Sequence, residues 1–221
     1  MKRRTLDILF STGGVALAGL LLVLGLVMTS NANFAQGYVK DQLSQQHITF
    51  TAANKLSDEE KQSACVVKYA GQALTTGKQA ECYANDYIGL HLKSTAGGQT
   101  YADIGVPQSA ARAQIAALPV GDPTIPGLQA KLTALTAQRE SLFKGETLRG
   151  LLLTSYGFSV FGVKGGQVAT VAYGASALLV LLSLAGFAHA LRTSKREVFA
   201  APDRPIAATN HIAHDKKLVR V

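Results

Sequence analysis

Two apolar stretches decide the architecture of this chain: LFSTGGVALAGLLLVLGLVMTS at residues 9–30 and QVATVAYGASALLVLLSLAGFAHAL at residues 167–191. Neither stretch contains a charged residue. Each is longer than the ~20 residues that a helix needs to cross ~30 Å of hydrocarbon. They predict two transmembrane helices that flank one domain, residues 31–166, which is mostly polar.

Positive charge is concentrated on the two tails outside the apolar stretches. Residues 1–8 and 192–221 together carry ten cations and four acids, a net charge of +6. Residues 31–166 carry twelve cations and ten acids, a net charge of only +2. Short flanks rich in Lys and Arg stay in the cytoplasm. The sequence therefore predicts a plasma-membrane protein with both termini cytoplasmic and residues 31–166 extracytoplasmic.

The first apolar stretch has two possible interpretations. Ser30-Asn31-Ala32 loosely resembles the small-x-small cleavage site of a signal peptide. The stretch is, however, longer than the ~7–15 apolar residues of a signal peptide, which favours an uncleaved signal anchor. Gly14, Ala18 and Gly19 give it a small-residue face on which another helix could pack. Glycine is also simply common in membrane helices.

Residues 31–166 are predicted to be all-α. Ala, Leu, Gly and Thr dominate the composition, and the chain contains no Trp. Helix-compatible sequence continues to about residue 46, and residues 47–50 are predicted to form a short extended piece. Further helices are predicted at residues 58–74, 78–94, 107–117 and from 127 onward, the last with a leucine stripe at helical spacing. Residues 192–221 are predicted to be a disordered basic tail.

Helix-start signals define two of these predictions. Ser57 and Glu60 have the spacing of a capping box, which begins the helix at 58–74. Pro107 suits the first turn of a helix, so the helix predicted at residues 107–117 is taken to begin there.

Cys65 and Cys82 are the two cysteines of the chain. They fall on two adjacent predicted helices, and extracytoplasmic thiols meet an oxidising compartment. A disulfide between them is therefore predicted, with two independent buried thiols as the alternative.

The segment from Phe143 to Val163 is apolar, but its uncharged part is too short to span a bilayer. Its apolar surface must be buried against the membrane, the domain core or a partner. We expect it to be an interaction surface that includes Phe143, Glu146, Arg149, Tyr156 and Phe158, with an ordinary core helix as the alternative. Glu146 and Arg149 can pair because they lie three residues apart on a helix.

No catalytic or metal-binding constellation emerges from the sequence. His47 and His91, the histidines of residues 31–166, lack the spacing of metal ligands. The positive charge flanks membrane spans and has no aromatic platform beside it, which argues against nucleic acid as a partner. We therefore expect no cofactor and no metal. The expected partners are the lipid bilayer and other membrane proteins or a second copy of the chain.

Several phrases resemble a known family. The run from Phe143 to Leu153, the phrases Tyr69-Ala70-Gly71-Gln72 and Thr75-Thr76-Gly77-Lys78-Gln79-Ala80, and the basic-tailed two-span layout are similar to actinobacterial two-span membrane proteins of unassigned function. Some members of that family are labelled aromatic ring-opening dioxygenases. The present sequence does not support that chemistry, which needs an iron site of histidines and a carboxylate.

Three functional hypotheses follow. The first is a non-catalytic integral membrane protein whose extracytoplasmic helical domain is an interaction or accessory module of an envelope or respiratory assembly. The second is an extracytoplasmic sensor or carrier that binds a small apolar ligand or lipid between helices, which the apolar segment from Leu148 to Val163 suggests. An unrecognised enzyme is the third and weakest hypothesis.

Overall fold

The computed structural model describes residues 2–194, and all of its regular elements are helical. Its α-helices are α1 (Arg3–Ser44), α2 (Ala64–Tyr69), α3 (Gly77–Cys82), α4 (Gly89–Ala96), α5 (Tyr101–Ala117) and α6 (Ile125–Arg192). A π-helical turn, Tyr83–Ile88, joins α3 to α4, and short 3-10 turns lie at Ala53–Lys55 and Glu60–Gln62. The predicted all-α class is confirmed. Most of the predicted disordered tail, residues 195–221, lies outside the described residues.

The first and last helices are both long and apolar. α1 has 42 residues and α6 has 68, and each contains a window apolar enough to cross a membrane. Only 17% of the α1 window and 22% of the α6 window is buried inside the protein. The central helix of a water-soluble protein would be mostly buried, because exposed apolar surface of this extent is unfavourable in water.

The described residues divide into two compact units, which we call the terminal unit (residues 2–20 and 175–194) and the helical unit (residues 21–174). In the terminal unit, α1 and α6 are antiparallel neighbours. The Ser176 hydroxyl donates to the carbonyl of Ala18 at 2.8 Å. At the other end of this contact, Asp7 Oδ2 lies 2.9 Å from His189 Nδ1. Gly14 also lies at this contact. This part of the predicted small-residue face therefore packs against α6 of the same chain.

In the helical unit, α1 and α6 meet through small residues. Ala32 and Ala35 are buried at this contact, opposite Gly162 of α6. The Gln36 side-chain amide donates to the main-chain carbonyl of Ser159 at 2.6 Å. Small side chains let the two backbones approach closely, and the hydrogen bond fixes their register.

The core of the helical unit lies between α1, α6 and the shorter elements. Its most completely buried large side chains are Phe50, Val66, Leu74 and Ile104. The predicted extended piece at residues 47–50 is confirmed for residues 48–50, where Thr49 pairs with Ala73 in an isolated antiparallel bridge. His47, with a φ of +52°, belongs instead to the turn that follows α1. Phe50 enters the core from this piece and packs edge-on against Tyr83, with ring centroids 5.1 Å apart.

The predicted helix at residues 58–74 is wrong. The capping box forms, because Ser57 N donates to Glu60 Oε2 at 2.7 Å and Glu60 N donates to Ser57 Oγ at 3.1 Å. It begins only a 3-10 turn, however, because Ser63 has an extended backbone and its side chain accepts from Val66 N as the cap of α2. Gly71, with a φ of +73°, lies in the turn that follows α2.

The next helices are displaced from their predicted limits. Residues 77–96 are helical, as predicted for 78–94, but the π-helical turn inserts an irregularity that periodicity did not show. α5 begins at Tyr101 and not at Pro107, because Thr100 and Asp103 form a capping box. Pro107 therefore lies inside α5. The last predicted helix, from residue 127, begins two residues earlier, at Ile125, and continues without a break to Arg192.

Cys65 of α2 and Cys82 of α3 form the predicted disulfide. Their Cα atoms are 6.0 Å apart, and the bond closes a loop with a sequence separation of 17. It ties together two six-residue helices that are too short to be stable by themselves.

Removal of this disulfide is expected to destabilise the helical unit by about 3 kcal/mol, the loop-entropy value for a closure of this length. The test compares thermal unfolding of the wild type and of a Cys65→Ser/Cys82→Ser variant, each with and without reductant. Reductant should lower the midpoint of the wild type only. Equal midpoints for all four samples would contradict a stabilising role.

Gly162→Ala is expected to destabilise the helical unit by roughly 1–3 kcal/mol through overpacking. A Cβ at this position would lie 2.9 Å from Gln36 Nε2, 3.0 Å from Ala35 Cβ and 3.2 Å from the Ala32 carbonyl oxygen. Gly150→Ala is the matched control on the same helix, because its Cβ would meet nothing within 4 Å.

The control should gain up to about 1 kcal/mol from the better helix propensity of Ala. Unfolding in a series of denaturing detergent mixtures measures both variants. The same gain in Gly162→Ala would show that the close contact between α1 and α6 does not form.

Candidate functional site

The five residues of the predicted interaction surface all lie on α6, but they point to different neighbours. Phe143 packs against Tyr101 of α5, with ring centroids 6.0 Å apart. Phe158 packs against Tyr38 of α1 at 5.8 Å. The structure therefore distributes the predicted surface over several contacts within the helical unit.

Arg149 connects α6 to the π-helical turn. Its Nη1 donates to Glu146 Oε2 at 3.3 Å, which is the pair expected from the sequence. Its Nη2 donates to Asn85 Oδ1 at 3.2 Å. The Nε atom of Arg149 is buried and has no hydrogen-bond partner within the described residues. Asn85 was missed in the sequence because no helix-period pattern marks a π-helical turn.

A polar cleft of about 590 Å³ opens beside Arg149. Its charged lining residues are Glu59, Asp86, Lys93, Glu146 and Arg149. Three acids and two bases give a formal net charge of −1, which is too small for the cleft to select strongly between cations and anions.

Tyr156 is contacted by Lys78 at the start of α3. Lys78 Nζ donates to the Tyr156 hydroxyl at 3.2 Å and lies 4.8 Å from the centre of its ring. The same ammonium lies 2.9 Å from Glu81 Oε2. The hydrogen bond to Glu81, and then that to Tyr156, raise the pKa of Lys78 above its usual value.

The carboxylate of Glu60, which forms the capping box with Ser57, is buried. Glu60 is only 4% exposed, and its Oε1 is 3.5 Å from Nε2 of His91. The His91 ring packs on Tyr87, with centroids 4.6 Å apart. Burial raises the pKa of the neighbouring Tyr83, and the charges of Tyr87 and Glu60 add to this shift. These contacts hold the capping box against α4 and the π-helical turn.

Cys65, Cys82 and Asp86 are close enough together to suggest a metal site, with ligand atoms within 4.8 Å of one another. Both sulfurs are used by the disulfide. Because only a thiolate sulfur is an effective metal ligand, the oxidised pair leaves one carboxylate at this position.

An apolar groove of about 450 Å³ lies between α1 and α6. α1 supplies Tyr38, Val39 and Leu43, and Ile48 follows from the extended piece. From α6 come Leu148, Leu151, Leu152 and Phe158. All four lie in the segment from Phe143 to Val163 that was predicted to be an interaction surface, although only Phe158 was named individually. Sequence periodicity gave no sign of the groove because half of its lining is more than 90 residues away along the chain.

Comparison with protein families, with curated proteins and with solved structures gives no match for this chain. The resemblance to actinobacterial two-span membrane proteins therefore stays a prediction.

A double-mutant cycle tests whether Arg149 acts mainly between elements or within α6. We expect a coupling of about 1 kcal/mol between Asn85 and Arg149, because charged hydrogen bonds between elements add to stability. The Glu146–Arg149 coupling should be smaller, within the ~0.2–1 kcal/mol of exposed ion pairs, and should weaken in high salt.

The measurement uses Asn85→Ala, Glu146→Ala and Arg149→Ala singly and in pairs, with unfolding free energies for each. A larger coupling for Glu146 than for Asn85 would show that the contact with the π-helical turn adds little.

Proposed function

We propose that this protein is an integral membrane accessory module, with the helical domain of residues 31–166 outside the cytoplasm and both termini inside. It serves a larger envelope or respiratory assembly by presenting this domain to other membrane proteins or to a second copy of the chain. The observation that carries the proposal is that the apolar windows of α1 and α6 are largely exposed. Only 17% of the α1 window and 22% of the α6 window is buried. Surfaces of this kind are stable in hydrocarbon.

The sidedness is supported by charge and by helix direction. Net charges of +6 on the tails and +2 on residues 31–166 favour cytoplasmic termini. The antiparallel contacts of α1 with α6 in the terminal unit agree with two spans that cross in opposite directions.

The outer boundary of the spans is supported by residue type. Asn31, Asn33 and Lys164 follow the apolar windows toward the helical domain, and Phe34 and Phe161 are 64% and 76% exposed beside them. Exposed aromatic rings beside polar groups are typical of a membrane interface.

The accessory role is supported by the exposed face of α6. Phe143 and Leu151 are 59% and 62% exposed outside the apolar window. Apolar side chains at such positions favour contact with a partner or with lipid.

Cysteine labelling in intact cells tests the topology. Val120→Cys places a thiol at a fully exposed position of the domain, and Thr5→Cys places one before the first span. The native cysteines do not react while they are joined by the disulfide. We expect a membrane-impermeant maleimide to label Val120→Cys in intact cells and Thr5→Cys only after lysis.

Labelling of Thr5→Cys in intact cells, or protection of Val120→Cys, would overturn the proposed sidedness. Purification in mild detergent then tests the accessory role. A protein that is recovered only as a single copy, under conditions that preserve native assemblies, would contradict it.

A further inference from the structure

We propose that the apolar groove between α1 and α6 binds one acyl chain of a membrane lipid. The inference rests on the proposed function, because it places the groove just outside the bilayer. It goes beyond that function by assigning a ligand class to a particular cavity.

The shape of the groove suits a flexible apolar chain. Its floor is formed by the buried side chains of Leu43 and Leu152, each 3% exposed, whereas Leu151 on the rim is 62% exposed. The cavity of about 450 Å³ lies within the ~300–1,000 Å³ range of ligand pockets.

The chemistry of the lining favours an uncharged ligand portion. The polar groups among its lining residues are the amides of Gln42 and Gln46 and the hydroxyls of Tyr38, Thr154 and Ser155. Within the described residues that line the groove, none carries a charge. Exposed apolar surface of this kind favours contact with an apolar molecule, whereas a charged headgroup would lose hydration there without a partner.

A chain of aromatic rings connects the groove to the end of the first apolar stretch. Phe34 lies four residues beyond Ser30 and stacks with Tyr38, with ring centroids 5.9 Å apart. Tyr38 in turn contacts Phe158 at 5.8 Å and lines the groove. Tyr38 is eight residues beyond Ser30, or about 12 Å along the helix. An acyl chain can therefore follow continuous apolar surface from the bilayer into the groove.

Photocrosslinking of the full-length protein in detergent-free vesicles tests the site. The vesicles contain phosphatidylcholine with a diazirine in the middle of one acyl chain, and labelled peptides are mapped by mass spectrometry. We expect labelling of residues 148–158 in addition to the two spans, which contact bulk lipid in any case. Labelling confined to the spans would overturn the proposal.

Two variants change the groove by different means. Leu151→Asn makes the rim polar, and Ser155→Trp fills the cavity, so each is expected to reduce labelling of residues 148–158 at least tenfold. Val106→Asn is the control, because Val106 is an apolar residue of α5, 73% exposed, away from the groove. Labelling of the spans should stay unchanged in all three.

Unchanged labelling of residues 148–158 in both groove variants would overturn the proposal, as would a protein segment crosslinked there in place of lipid. Thermal unfolding shows whether Leu151→Asn or Ser155→Trp fails to fold. If one of them does, the labelling of the other variant decides whether the groove binds lipid. The maleimide test of topology is independent: labelled residues 148–158 together with an inverted topology would leave the lipid site standing and remove only the proposed sidedness.

Discussion

The close contact of α1 with α6 is the constraint on which the helical unit depends. Ala32 and Ala35 meet Gly162 at a separation that leaves no room for a Cβ, and the Gln36 amide bonds to the carbonyl of Ser159 across the same contact. This contact joins residues more than 120 positions apart along the chain. The shorter elements then pack on a pair of helices whose spacing is already determined.

The shorter elements need such a platform because they are weak by themselves. α2 and α3 have six residues each, and their connection is irregular. Three kinds of restraint compensate for this weakness. One is the disulfide between Cys65 and Cys82, and another is the capping box at Thr76. The third is a pair of hydrogen bonds with α6, made by Lys78 of α3 and by the π-helical turn through Arg149. Covalent and polar restraints of this kind replace the buried area that a small unit lacks.

Local signals determined how much of this structure could be predicted. The apolar stretches, the disulfide and most of the extended piece, residues 48–50, follow from composition and spacing. The helix at residues 58–74 was wrong because Ser57 and Ser63 both carry capping signals, and propensity alone does not say which one governs the longer helix. The start of α5 was placed at Pro107 for a similar reason, because the capping box of Thr100 and Asp103, which begins this helix, lies farther upstream. Asn85 and the groove depend on contacts between distant elements, which no local pattern encodes.

The groove itself can be explained by a gradient of side-chain size along the two helices. The buried positions of α1 change from Ala32 and Ala35 to Val39 and Leu43 as the chain leaves the apolar stretch. Facing them, α6 changes from Gly162 and Ser159 to Leu152 in the opposite chain direction. The distance between packed helices follows the size of the side chains at their contact. Small residues at one end and large ones at the other therefore favour two helices that touch near the apolar stretch and separate beyond it. The space between them is lined with the apolar side chains that hold them apart, which suits the acyl chain that we propose for it without any additional element.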